Sequence, residues 1–209
     1  MTEATIARSL LAPGVAVAAA AALLVPAGTA DARPAVPPAN HVAARAASVT
    51  VANMAFSPAS VTVGLGEPVT WTFQDATSHT STSDQGFWNS GTKSGGATYS
   101  RTFTSAGTFA YHCTIHPMMR GKVAVPVTVS GSPNAGWTLR WSTKKGKGSV
   151  TFDVQTRLGS GKWKPLVTGA TTASKKFNPA KAGNYSVRAR TVKGGSRSGW
   201  SPTTTVPVS

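Results

Sequence analysis

Apolar residues stand at alternate positions in run after run of this 209-residue chain, and each run is cut by Gly, Pro or Ser before it reaches helix length. Val49 and Val51, then Val61 and Val63, then Val69, Trp71 and Phe73 repeat with period two, with Gly64 and Gly66 between the second and third runs. Successive side chains of a strand point to opposite faces, so this period gives each segment one apolar face, and each break turns the chain back. Runs at Tyr99 to Phe103, Phe109 to Cys113 and Lys122 to Val129 continue the pattern and outline an antiparallel sandwich over residues 47–130. Met54 precedes Phe56 at strand spacing and reads as core. The fold class expected is all-β.

A second alternating block follows. Residues 131–136 hold Gly131, Pro133, Asn134 and Gly136 and read as a linker. Beyond it, residues 137–209 present Trp137, Leu139 and Trp141 on one strand face, Phe152 and Val154 on another, and Tyr185, Val187 and Ala189 on a third. A second, smaller β-sandwich is the simplest reading, with Trp141, Trp163 and Trp200 as core or strand-packing residues. The charge is divided unevenly between the blocks. Residues 47–130 carry Lys93, Lys122, Arg101 and Arg120 against Glu67, Asp75 and Asp84, a net +1, whereas residues 131–209 carry nine Lys and five Arg against Asp153 alone, a net +13.

Met1 to Ala32 reads as a cleaved secretory signal, with Arg8 near its start, an almost unbroken apolar stretch from Leu10 to Ala27, and small residues for a cut after Ala30 or Ala32. Pro13, Gly14 and Pro26 argue against a membrane-spanning helix, so no transmembrane segment is expected after cleavage. Arg33 to Ala46, rich in Pro and Ala, reads as a tether in which His41 is a solvated residue. The mature protein is therefore expected outside the cytoplasm, associated with the cell envelope. One cysteine rules out an intramolecular disulfide framework and any four-thiolate cluster.

The residues that carry chemistry lie in Tyr111-His112-Cys113-Thr114-Ile115-His116-Pro117-Met118-Met119-Arg120-Gly121. A thiol, an imidazole and a thioether in one short loop are donors for a soft metal, and two imidazoles with a thiolate and a distant axial thioether make a one-electron copper site. His79, in the turn after the run ending at Phe73, supplies the second imidazole. Alternation through Phe109, Tyr111 and Cys113 sends Cys113 inward and His112 outward, away from the ligand set. Periodicity does not choose between Met118 and Met119.

The run at 111–123, together with Phe56-Ser57-Pro58, Val61-Thr62-Val63, Gly66, Val69-Thr70-Trp71 and His79, resembles the cupredoxins, the small blue copper proteins, and most closely their amicyanin and plastocyanin branch. The resemblance spans residues 47–130. It implies a Greek-key β-sandwich, a single type 1 copper ion held by His79, Cys113 and His116, and, from the Cys-x2-His-x2-Met spacing, Met119 as the axial ligand. It also puts Met118 at a hydrophobic loop position near the exposed edge of His116. Thr80 departs from the Asn frequent after the first histidine in plastocyanins, and its hydroxyl is a candidate hydrogen-bond donor near the thiolate. Residues 134–209 resemble a fibronectin type III module, an immunoglobulin-like sandwich whose first strand is not evident unless Val127 to Pro133 provides it. The resemblance rests on Trp137-Thr138-Leu139-Arg140-Trp141-Ser142, Tyr185-Ser186-Val187-Arg188-Ala189-Arg190 and Ser198-Gly199-Trp200-Ser201-Pro202. It implies that the Tyr185 hydroxyl bonds back to the backbone.

These readings together predict an exported carrier of single electrons between redox partners, and no enzyme, since only His41 and His112 remain for any further copper cluster. Copper sequestration or delivery, and envelope binding as a structural protein, are the alternatives. The basic second block predicts contact with an anionic envelope polymer rather than a specific nucleic acid, because Lys144-Lys145-Gly146-Lys147 and Lys175-Lys176 are basic turns without a base-stacking motif.

Overall fold

The computed structural model describes residues 46–209. The signal expected at 1–32, nearly all of the tether at 33–46, and His41 lie outside the described residues. Among the described residues there are sixteen strands and no helix.

The first eight strands are β1 (Ala47–Ala52), β2 (Ala55–Ser57), β3 (Ser60–Thr62), β4 (Pro68–Phe73), β5 (Thr82–Ser83), β6 (Thr98–Thr102), β7 (Gly107–His112) and β8 (Arg120–Val125). They form two four-stranded sheets, in the orders β2-β1-β4-β6 and β3-β8-β7-β5. Where alternation suggests an antiparallel sandwich, β1 in fact pairs parallel with β4, and β3 with β8. A period of two is common to both strand directions and cannot tell them apart. Val49, Val51, Val69, Trp71 and Phe73 pack from one sheet against Val63, Phe109, Tyr111, Val123 and Val125 from the other. Full burial of each such side chain is worth about 1.5–3 kcal/mol.

Met54 is not core. Asn53 and Met54 have φ of 51° and 60°, the left-handed pair of a type I′ turn, and they close the hairpin in which Ala52 faces Ala55. Met54 therefore sits at the turn apex and is 46% exposed.

The second eight strands are β9 (Thr128–Ser132), β10 (Gly136–Arg140), β11 (Val150–Leu158), β12 (Lys164–Ala170), β13 (Ser174–Phe177), β14 (Gly183–Lys193), β15 (Ser196–Arg197) and β16 (Thr204–Val208). One sheet runs β13-β10-β9; the other runs β12-β11-β14-β15, with β16 also on β14. The single run expected from Lys122 to Val129 is split between the two halves. β8 stays in the first, and β9 pairs with β10. Pro126 stands at the break, where a residue without an N–H cannot extend a ladder. Residues 131–136 complete the β9–β10 hairpin. Trp137, Leu139, Trp141, Phe152, Val154, Val187 and Val206 form a second core. Trp163 and Trp200 are outside it and pack against arginines instead.

The halves meet at the start of β7. Leu65 packs into both cores, the Thr108 hydroxyl donates to the Trp200 carbonyl at 2.8 Å, and the Thr191 hydroxyl donates to the Ala106 carbonyl at 3.0 Å. Cys113 follows the opposite end of β7, about 20 Å away at the rise of an extended strand.

Candidate metal centre

β7 aims its last inward position into the core. Phe109, Tyr111 and Cys113 are 2%, 1% and 0% exposed. The chain then turns tightly, the Met119 amide donating to the His116 carbonyl at 2.9 Å and the Cys113 amide to the Met119 carbonyl at 3.1 Å. That closure returns Met119 to the buried core beside Cys113 and leaves its neighbour Met118 82% exposed. Across from Tyr111 in the β7–β8 ladder stands Gly121. A Cβ there would land on the Tyr111 ring, so the residue after Arg120 has to be glycine for the phenol to lie flat over β8. Burial pushes the Tyr111 hydroxyl up to about 12, so the buried phenol stays neutral.

His79 comes from the other side of the loop cluster. Its backbone pairs in both directions with Lys93, at 2.9 Å each way, and its ring is wholly buried. His79 Nδ1 lies 3.1 Å from His116 Nδ1, and Cys113 Sγ lies 3.9 Å from His79 Nδ1 and 3.7 Å from His116 Nδ1. The three donor atoms fall within 4.8 Å of one another, close enough for one ion to touch all three. Two imidazole lone pairs aimed at each other across 3.1 Å repel unless a cation or a shared proton lies between them, and a donor set of two imidazole nitrogens and one thiolate sulfur suits copper. The residues present therefore fit a copper ion.

Their surroundings favour the same state. Asp75 Oδ1 approaches His79 Nε2 at 3.2 Å. The contact is bent enough that neither atom completes a hydrogen bond, yet a carboxylate there favours the proton on Nε2 and leaves Nδ1 free as a donor to metal. Asp75 is in turn held by the amide of Asn53, which donates to its Oδ2 at 2.8 Å. The Thr80 amide donates to Cys113 Sγ at 3.3 Å and so stabilises a thiolate. The Thr80 hydroxyl, expected near the sulfur, accepts instead from the Thr114 amide at 2.9 Å and ties the His79 segment to the Cys113 loop. Ser81 braces that segment further, its amide donating to Ser90 Oγ at 2.8 Å and its hydroxyl accepting from Trp88 Nε1 at 3.1 Å. His112 faces away and pairs with Asp84 at 2.6 Å.

His79, Cys113 and His116 are thus brought together, with Met119 buried beside them. Asp75 and Thr114 were missed from sequence. The signal available for Asp75 was a carboxylate four residues before a candidate ligand; nothing local marks Thr114, whose part is played by its main-chain N–H.

A family profile described as copper binding proteins, plastocyanin/azurin family, matches residues 43–126. Amicyanin of Paracoccus denitrificans is 39% identical over 90 residues, which cover 41% of this chain and 69% of the relative. Amicyanin-alpha of Methylorubrum extorquens is 37% identical over 82 residues, covering 37% of this chain and 69% of that protein. Among solved structures, a reduced amicyanin variant is 38% identical, covers 38% of this chain and 81% of its own, and superposes with a TM-score of 0.37.

Proposed function

Because the chain belongs to the plastocyanin/azurin family of copper-binding proteins, we propose that it carries single electrons through one type 1 copper ion that His79, Cys113 and His116 would hold, with Met119 as a fourth, weaker donor. The observation that carries this reading is the convergence of His79 Nδ1, Cys113 Sγ and His116 Nδ1, with His79 and Cys113 fully buried and His116 half-buried. Copper, when bound, supplies the one-electron couple between Cu(I) and Cu(II). The protein's residues keep the site rigid and dry. The Thr80 amide steadies the charge on sulfur, Asp75 orients His79, and the Thr80–Thr114 bond holds the two ligand segments in one place whichever charge the site bears. No residue here acts as a general acid, base or nucleophile on a substrate; the protein is an electron carrier and not an enzyme.

The route out is the edge of His116, the half-buried ligand, framed by exposed Ile115, Pro117 and Met118. A redox partner docks transiently on this apolar rim. Strands β1 to β8, residues 47–125, form the cupredoxin unit in this reading, and β9 with the hairpin at 131–136 belongs to the second half rather than to the first unit and a linker. With these, residues 137–209 form a fibronectin type III-like unit, supported by the bond from the Tyr185 hydroxyl to the Lys181 carbonyl at 2.9 Å. The protein is exported, and its basic half, net +13 from residue 131 onward, keeps it near anionic envelope polymer.

Voltammetry of the copper-loaded protein tests the function: a reversible one-electron wave is expected, whereas rapid loss of copper to a chelator without such a wave would turn the assignment toward copper delivery. Met119→Leu is expected to keep copper and raise the potential, since a weak donor that favours Cu(II) is removed. Met118→Glu is expected to keep the blue colour while slowing exchange with a partner, and an unchanged rate would remove His116 as the exit.

A further inference from the structure

On the outward face of β11 and β14, three arginines and two tryptophans alternate in one stack. The Arg157 guanidinium lies 4.7 Å from the centroid of the Trp163 ring, Arg188 lies 4.1 Å from that ring and 4.6 Å from Trp200, and Arg190 lies 4.5 Å from Trp200. Strand alternation creates the array. Phe152, Val154, Val187 and Ala189 point into the core, so Asp153, Gln155, Arg157, Arg188 and Arg190 point out. The register sets Asp153 opposite Arg190 and Gln155 opposite Arg188.

The neutralisation is incomplete. Asp153 Oδ2 accepts from Arg190 Nε at 2.9 Å and lies 2.8 Å from its Nη2. Gln155, which is uncharged, accepts from Arg188 Nε at 3.1 Å and Nη2 at 2.7 Å. Arg157 faces Ser186 across the ladder, and its Nε has no hydrogen-bond partner. Of the three guanidiniums, only that of Arg190 is therefore paired with a carboxylate. Burial, followed by the like charges of Arg157 and Arg190, holds the Arg188 guanidinium below its ordinary pKa, a crowding that an anion would relieve. Exposed Lys162 and Lys164 flank Trp163 and add to the same field.

We propose that this face docks a linear phosphodiester polymer that carries no aromatic bases, a polyol phosphate of the envelope. The proposal rests on the reading that the basic half meets an anionic polymer, and it gives that reading a site. Planar guanidiniums bind phosphate through paired N–H groups. Arg188 and Arg190 are two residues apart on one strand, about 7 Å, and Arg157 continues the row on the neighbouring strand, so the array matches charges repeated along a chain better than a single small anion. Each indole is already covered by two guanidiniums, which leaves no ring for a nucleobase to stack on. The rival location is the shallow recess lined by Lys144, Lys145 and Lys147 with Thr104, Ser105 and Ser142. Its lysines are separate point charges on flexible stems.

The test is a titration of the full-length copper-loaded protein with poly(glycerol phosphate) and with oligothymidylate over a range of salt. Poly(glycerol phosphate) is expected to bind more tightly than oligothymidylate. Arg157→Gln is expected to weaken its binding about tenfold, as for loss of a charged hydrogen bond, and to make the slope of log affinity against log salt shallower by about 0.7–0.9, as for one lost phosphate contact. Arg157→Lys, which keeps the charge and the stem, is expected to restore the slope, and a merely structural rung would not move it. If Arg157→Gln binds like the wild type while the Lys144, Lys145 and Lys147 triple serine variant loses binding, the arginine face is wrong and the polymer reading survives. If the wild type ignores the polymer even at low salt, both fall. Equal or tighter binding of oligothymidylate overturns the base-free ligand.

Discussion

At the metal-binding end, His79 and Cys113 are fully buried and their neighbours are amides, hydroxyls and a single carboxylate. On the outward face of β11 and β14, half-buried guanidiniums are held by aromatic rings, and only one of them is paired with an acid. Both arrays grow from strand alternation, and they treat charge in opposite ways. The first withdraws a few donors from water and surrounds them with fixed dipoles, which keeps the site from rearranging when its charge changes. The second leaves like charges crowded near water, where binding an external anion lowers their mutual repulsion. Burial makes a site selective for one ion; partial exposure suits a site that reads charge along a polymer. The junction at the start of β7 lies at the far end of that strand from Cys113, so the two arrays work without covering each other.

Substitutions that strike one array and spare the other sharpen this contrast. Cys113→Ser has the largest effect: the intense thiolate-to-copper absorption disappears altogether, and a variant that stays blue would place the metal elsewhere. Asp75→Asn should weaken copper binding about 10–100-fold, the usual cost of removing a carboxylate behind a ligating imidazole. A competition titration with a chelator measures it, and an unchanged affinity would reduce Asp75 to a partner of the Asn53 turn. Gly121→Ala drives a methyl into the Tyr111 ring and should lower stability by about 1–3 kcal/mol, as overpacking does. Denaturant melts of the apoprotein check this, and no loss would mean that β8 yields freely. The smallest effect is expected for Tyr185→Phe, which removes one bond to the Lys181 carbonyl. Stability should fall by about 0.5–1.5 kcal/mol with the copper spectrum unmoved, and a shifted spectrum would show that the halves are coupled.

Much of this architecture was legible from local pattern. The inward sequence Phe109, Tyr111, Cys113 follows from a period of two, and a tight turn after Cys113 brings His116 back toward it, while the choice of Met119 over Met118 comes from the family resemblance and not from spacing alone. Alternation also orients Val49, Val51, Trp71, Leu139 and Val187 correctly, since each belongs to a strand with one wet face. It failed at Met54, where two left-handed residues make a turn apex out of what reads as strand, and across Pro126, where one apparent run serves two sheets.

What the sequence determined by itself is the set of groups available to the site: a lone thiol, two imidazoles and a thioether in a β framework, with nearly all surplus positive charge in the second half. Only the tertiary structure decided which groups meet. The approach of His79 to His116, the carboxylate of Asp75 behind His79, the Thr80 amide on Cys113 Sγ, and the interleaving of Arg157, Trp163, Arg188, Trp200 and Arg190 join residues from separate strands and loops. Such contacts depend on strand order, register and sheet packing, which are set by the summed burial of two whole cores, whereas periodicity reports only which face each residue shows.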